Sequence, residues 1–142
     1  MMAGFLCLHV APDHPGIVRV VVSDAAPEGL PAPADGSLVY VARFRDVDAA
    51  RMHAHESLRR GLVDVEQRLY RADVVQAVAA VEADDLGHQR VWIEPSLVHD
   101  QGRQIAALKK SILRRRERRD RVWRTVGALG ILLLAFKLLG VI

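Results

Sequence analysis

The chain has 142 residues, enough for one small domain and an extension, and its single cysteine excludes an intrachain disulfide and a cysteine-rich metal site. Its net charge of +3 conceals two opposite regions. Residues 109–124, here called the basic segment, hold nine Lys/Arg against two acids and so carry +7. Subtracting that segment and Lys137 from the total leaves −5 for residues 1–108.

Two apolar stretches near the N-terminus predict a pair of antiparallel strands. Residues 4–10 are apolar on both faces, which indicates a central strand, and residues 17–23 are rich in β-branched side chains. A turn over residues 11–16, longer than a tight hairpin, joins the two strands. We expect no secretory signal peptide, because the N-terminus lacks a basic start and Pro12 interrupts its apolar run.

A loop rich in proline and glycine, residues 24–36, separates these strands from a third strand predicted over residues 37–44. The next segment predicts a helix that runs to about Arg60. Either Asp46 or Asp48 can cap this helix, because both precede its apolar positions.

The segment after Gly61 is ambiguous, and we interpret it as a short extended piece that ends at Tyr70. Residues 73–83 predict a helix with one apolar face. A late strand over residues 90–94 is expected to stop at Pro95. Three acids near the end of the second helix are interpreted as solvated side chains: Glu82, Asp84 and Asp85.

The C-terminal part predicts a long helix that begins near Arg103. From Val126 to the C-terminus the only charge is Lys137, and this stretch of 17 residues meets the lower limit of about 17 for a membrane span. Trp123 stands where an interfacial aromatic residue is expected. We therefore expect residues 122–142 to form a C-terminal transmembrane anchor.

The predicted organisation is an α+β domain over residues 1–100, a basic juxtamembrane helix over residues 101–121 and the anchor. The positive charge before the anchor predicts a single-pass protein whose N-terminal domain is cytoplasmic. Expected partners are the membrane, anionic lipid, an unidentified protein and nucleic acid. The candidate residues for binding nucleic acid or lipid are Lys109, Lys110, Arg114, Arg115, Arg116, Arg118, Arg119 and Arg121.

Several short motifs occur in an order and spacing that resemble a known nuclease superfamily. They are Gly4-Phe5-Leu6-Cys7, Pro15-Gly16, Arg19 to Ser23, His55-Glu56-x-Leu58 and Gln67-Arg68-Leu69-Tyr70. With these motifs, residues 4–83 resemble the GIY-YIG superfamily, in particular its phage T5-type DNA-binding branch. The resemblance implies a three-stranded antiparallel sheet with flanking helices. In active members, tyrosines, an arginine and a metal-binding glutamate cleave phosphodiesters with one divalent ion.

The departures from this family pattern fall on the catalytic positions. Cys7 stands in place of the first tyrosine, and Arg19 in place of a lysine or tyrosine of the second motif. Arg51, four residues before His55, occupies the position of the metal-binding glutamate, where a cation repels the metal. The loop 24–36, which has no arginine, replaces the arginine-bearing helix. We therefore expect a catalytically inactive module, without metal or cofactor, that binds a protein or nucleic acid.

Two alternatives remain open. A shift of the alignment places Glu56 in the metal-binding role and predicts a Mg²⁺-dependent endonuclease tethered to the membrane. The other alternative is a small accessory subunit of a membrane assembly. His53 and His55 do not predict a shared metal site, because two residues along a helix separate side chains by about 200°.

Overall fold

A computed structural model describes residues 2–30, 33 and 36–141, and the chain divides into two compact units, Met1–Lys109 and Lys110–Ile142. Part of the predicted loop 24–36, namely residues 31, 32, 34 and 35, lies outside the described residues. The helices and strands, in chain order, are β1 (Gly4–Ala11), β2 (His14–Ser23), β3 (Leu38–Phe44), α1 (Val47–Leu58), a 3-10 turn (Arg59–Gly61), β4 (Leu62–Asp64), β5 (Leu69–Arg71), α2 (Val74–Glu82), β6 (His88–Ile93) and α3 (Pro95–Leu138).

The strands form one antiparallel sheet in the order β4-β5-β2-β1-β3-β6. The α+β class is as expected, but the prediction of a three-stranded sheet is wrong. β5 pairs with β2, β6 pairs with β3, and β4 extends the β5 edge, so the sheet has six strands. The added strands carry little periodic signal, because β4 and β5 have three residues each and three of the six β6 residues are exposed.

The first hairpin is tighter than its sequence suggests. Ala11 pairs with His14, which leaves only Pro12 and Asp13 in the turn, and the register shifts between Val10 and Ala11. β2 therefore includes residues that were predicted to lie in the turn. The central pair β1–β2 brings the most apolar segments of the chain together at the middle of the sheet.

The two faces of the sheet differ in what covers them. A Cβ added to Gly4 would lie 2.9 Å from Val47 Cγ1, so the face that carries Gly4 is the one that packs against α1. Leu6 and Leu8 share this face by strand alternation and are fully buried. Cys7 points to the opposite face, where a smaller cluster is formed by Cys7, Leu38 and Val41 with Phe5, Val21, Leu30 and Trp92 packed against it.

The helix boundaries settle one alternative and correct one prediction. Asp46 caps α1, because its Oδ1 accepts a hydrogen bond from the N–H of Ala49 at 3.1 Å. α3 begins at Pro95 rather than near Arg103. Proline suits the first position of a helix, where its missing N–H has no intrahelical partner to lose, so Pro95 both ends β6 and starts α3.

The prediction of a transmembrane anchor over residues 122–142, and of a single-pass membrane location, is wrong. Within the described residues, no helix combines the length and the apolarity that a membrane crossing requires. Arg124 and Lys137 bound an uncharged stretch, residues 125–136, that spans about 18 Å against a hydrocarbon core of about 30 Å. The cytoplasmic assignment rested on this anchor and falls with it; Ile142 lies outside the described residues.

Candidate functional site

The positions that the family resemblance marks as catalytic do not converge in the structure. Cys7 and Arg19 share the face of the sheet that points away from α1, since Cys7 pairs with Val21 and alternation places Arg19 beside it. Arg51 and His55 belong to α1, which packs on the other face. The sheet therefore lies between the two halves of the predicted site.

Cys7 is enclosed and unreactive by its surroundings. Its side chain lies in the interior of the sheet, with 3% of the residue exposed. Burial raises the pKa of its thiol from 9.0 to about 11, because the charged thiolate is poorly solvated there. The thiol is protonated at neutral pH and lacks the nucleophilic form.

Each polar position predicted on α1 has a partner of its own. Glu56 and Arg59 form an exposed ion pair at 3.3 Å, and Arg51 lies 3.7 Å from Asp48. His55 Nδ1 shares a hydrogen bond of 2.8 Å with the Tyr70 hydroxyl. Burial raises the pKa of Tyr70, which keeps that hydroxyl protonated. These contacts tie α1 to itself and to β5, and Glu56 is not among the described residues whose potential ligand atoms lie close enough together to hold a metal ion.

The cations of the basic segment lie on α3 in an ordered pattern. Successive spacings of four, four, three and three residues place five exposed cations along one side of the helix. This side is called the basic face and consists of Lys110, Arg114, Arg118, Arg121 and Arg124. It extends over 15 residues, and the first and last of them lie about 21 Å apart along the helix axis at about 1.5 Å per residue. The remaining cations of the segment lie around the rest of the helix: Lys109, Arg115, Arg116 and Arg119.

A second polar cluster lies at the C-terminal end of α2. Glu82 is 5% exposed and is held by the Arg90 guanidinium from β6 and by the Tyr40 hydroxyl from β3, 3.3 Å away. Burial and the nearby Glu82 carboxylate raise the pKa of Tyr40, and the hydrogen bond to Glu82 raises that of Arg90. Both partners therefore stay protonated: Arg90 neutralises the charge of Glu82, and Tyr40 donates a hydrogen bond to it.

Asp84 is buried next to this network, with 7% of the residue exposed. Its Oδ1 lies 3.0 Å from His53 Nδ1 and accepts a hydrogen bond from the Leu86 N–H at 3.3 Å. Asp85 is exposed, and one potential ligand atom from each of His53, Asp84 and Asp85 lies within 4.8 Å of the others.

The interpretation of these acids as a solvated helix end is wrong for Glu82 and Asp84, and holds only for Asp85. One sequence signal points to their burial: α2 has no basic residue in its last turn, although acids cluster there against the helix dipole. Their partners are distant in sequence, since Arg90 lies eight residues on and His53 31 residues back.

Comparison with family models, with curated proteins and with solved structures gives no match for this chain. The resemblance to the GIY-YIG superfamily therefore stays a prediction from sequence motifs.

Proposed function

We propose that this protein binds nucleic acid, and that it contacts the phosphate backbone through the basic face of α3. The observation that carries this proposal is the alignment of five exposed cations along one side of a continuous helix. Residues 1–109 form the folded unit that precedes the basic face in the sequence.

The dimensions of the basic face suit a duplex. Double-stranded DNA presents one negative charge per about 1.7 Å of its axis, and its major groove, about 12 Å wide, admits an α-helix. A row of cations about 21 Å long therefore runs beside many phosphates at once. Five phosphate contacts predict that log K falls with log[salt] with a slope of about −4.5.

The surroundings of the basic face favour nucleic acid over a lipid surface. An interfacial helix needs a continuous apolar side that enters the headgroup region. Between Lys110 and Arg124 the apolar residues are Ile112, Leu113, Val122 and Trp123, which form no continuous apolar side, and cations lie on all sides of the helix. Nucleic acid needs no such side, because its phosphates are contacted from water.

The net negative charge of residues 1–109 favours binding of nucleic acid at the basic face rather than elsewhere on the chain. The nine Lys/Arg and two acids of residues 110–142 give +7, so the total of +3 leaves −4 for residues 1–109. An acidic body repels a polyanion and attracts none, which directs association to the helix.

A salt series on the full chain tests the proposal. The affinity for a short fluorescent duplex DNA is measured by anisotropy between about 50 and 200 mM salt. We expect a slope near −4.5, and we expect R114E/R118E, which reverses two cations of the basic face, to reduce it to about −2.7.

R115E/R119E is the matched control, because it makes the same charge change at the same spacing on another side of the helix. It is expected to weaken binding less than R114E/R118E. A salt-independent affinity would contradict the proposal. So would tight binding to vesicles of anionic lipid without binding to DNA.

A further inference from the structure

We infer that His53, Asp84 and Asp85 form a binding site for a divalent transition-metal ion of the zinc class. The site joins α1 to the turn between α2 and β6, and it lies outside the basic face on which the proposed function rests.

The spacing of the donor atoms fits one ion. Two ligands about 2.1 Å from a metal stand about 3.0 Å apart at a right angle and about 3.4 Å apart at the tetrahedral angle. The distance between His53 Nδ1 and Asp84 Oδ1 is 3.0 Å, within this range. Asp85 completes a set whose donor atoms all lie within 4.8 Å, so a small side-chain rotation brings a third ligand to the same ion.

The electrostatics of the turn favour a cation there. Three carboxylates occur within four residues at the C-terminal end of α2, where the helix dipole already carries partial negative charge. Arg90 neutralises Glu82, and no other arginine or lysine lies between residues 72 and 102. Asp84 is buried to more than nine-tenths, so its carboxylate has little access to water. A bound dication compensates the negative charge of Asp84 and Asp85.

The ligand types select the ion. One imidazole nitrogen with two carboxylates suits Zn²⁺, Co²⁺ or Mn²⁺, whereas Ca²⁺ and Mg²⁺ prefer oxygen ligands alone. The His53 side chain is 48% exposed and Asp85 is exposed, so water has access to the remaining coordination positions. Three protein ligands and an open position are the arrangement that distinguishes catalytic zinc sites from closed structural ones.

Metal titration of the full chain, stripped with chelator, tests this inference. Zn²⁺ is added in a calorimeter, and Co²⁺ is added while its visible absorption is recorded. We expect one saturable site per chain, a rise in the melting temperature on saturation, and reversal by chelator. His53→Ala and Asp85→Asn are each expected to weaken binding by at least tenfold.

His55→Ala is the matched control, because it removes a histidine two residues away on the same helix that bonds to Tyr70 instead. It should leave the affinity unchanged. Both His53 and Asp85 are exposed enough that their variants are expected to fold, which a circular dichroism spectrum checks. Absence of a saturable site in the wild type, or equal affinity in His53→Ala and the wild type, would overturn the inference.

Discussion

The two units of this chain treat charge in opposite ways. In residues 1–109 the buried carboxylates have partners, Arg90 for Glu82 and His53 for Asp84. In residues 110–142 the cations of the basic face are exposed. This unit as a whole holds nine Lys/Arg and two acids. A charge paired in the interior interacts with its partner inside the fold, whereas exposed positive charges repel one another and remain available to an external anion. The location of a charge therefore separates the structural role of Glu82 from the binding role proposed for the basic face.

The two units should differ most in the stability that is lost when an apolar side chain is shortened. Leu8→Ala removes a fully buried side chain from the centre of the sheet, and we expect a loss of about 3 kcal/mol in the free energy of unfolding. Leu134→Ala, the same change at a side chain that is 65% exposed, should alter it by less than about 0.5 kcal/mol. Urea unfolding followed by tryptophan fluorescence measures both. Equal losses would show that the apolar part of α3 is also packed.

The second largest difference between the units is expected in the stability that is lost when a carboxylate is neutralised. Glu82→Gln leaves Arg90 and Tyr40 without the charge that holds them, and we expect a loss of about 2 kcal/mol. This is below the full cost of breaking a buried pair, because the Arg90 side chain is 43% exposed and can turn to water. The exposed Glu117→Gln is the control and should leave the unfolding midpoint unchanged. A neutral result at Glu82 would mean that its ion pair contributes nothing net.

Replacement of a glycine by alanine should lower stability in the first unit and raise it in the second. An added Cβ at Gly61 would lie 2.1 Å from the Arg71 carbonyl oxygen, so Gly61→Ala must shift the backbone and should cost more than about 1 kcal/mol. At Gly127, inside α3, no atom lies within 4 Å of the added Cβ, and alanine should raise helix stability by up to about 1 kcal/mol. Thermal melts followed by circular dichroism report both signs, and a gain at Gly61 would contradict the packing of the β4–β5 hairpin.

Alkaline titration probes how dry the interior of the first unit is. Because the pKa of Cys7 rises from 9.0 to about 11 on folding, the folded state holds the thiol proton more tightly than the unfolded chain. This contribution is complete below pH 9 and is lost as the pH rises through about 11. At pH 10 we expect a loss of about 1 kcal/mol.

Cys7→Ala supplies the reference for that loss, since it removes the titrating group and retains the tyrosines that also ionise at high pH. The difference in stability between the wild type and Cys7→Ala should shrink between pH 8 and pH 10. A constant difference would show that the thiol is solvated.

The sequence predicted those helices and strands whose pattern of apolar residues lies within one short segment. The apolar runs of β1 and β2 and the apolar face of α2 each appear in a few consecutive residues. β6 was predicted over residues 90–94, whereas β4 and β5 were left ambiguous, because such short strands form only by pairing with a neighbour that the rest of the chain supplies. Pro95 was interpreted as a stop, although the same proline also opens α3.

The candidate sites divide in the same way. Four of the five cations of the basic face were candidates from the sequence because they lie within one short segment, but their alignment along one side of α3 was not predicted and Arg124 was not among the candidates. The cluster of His53, Asp84 and Asp85 was not predicted, because tertiary packing brings α1 to the end of α2. The membrane anchor was wrong because the length criterion was applied through Lys137 and beyond the end of α3 at Leu138.

The most direct test of the proposed division between the units compares two triple variants of equal charge change. R114E/R118E/R121E reverses three cations of the basic face, and R19E/R45E/R60E reverses three exposed arginines of the first unit. At about 0.1 M salt, each lost phosphate contact costs roughly tenfold in affinity, so the first variant should bind duplex DNA at least a hundredfold more weakly. We expect the second to stay within a few-fold of wild type, and equal losses in both would contradict the account.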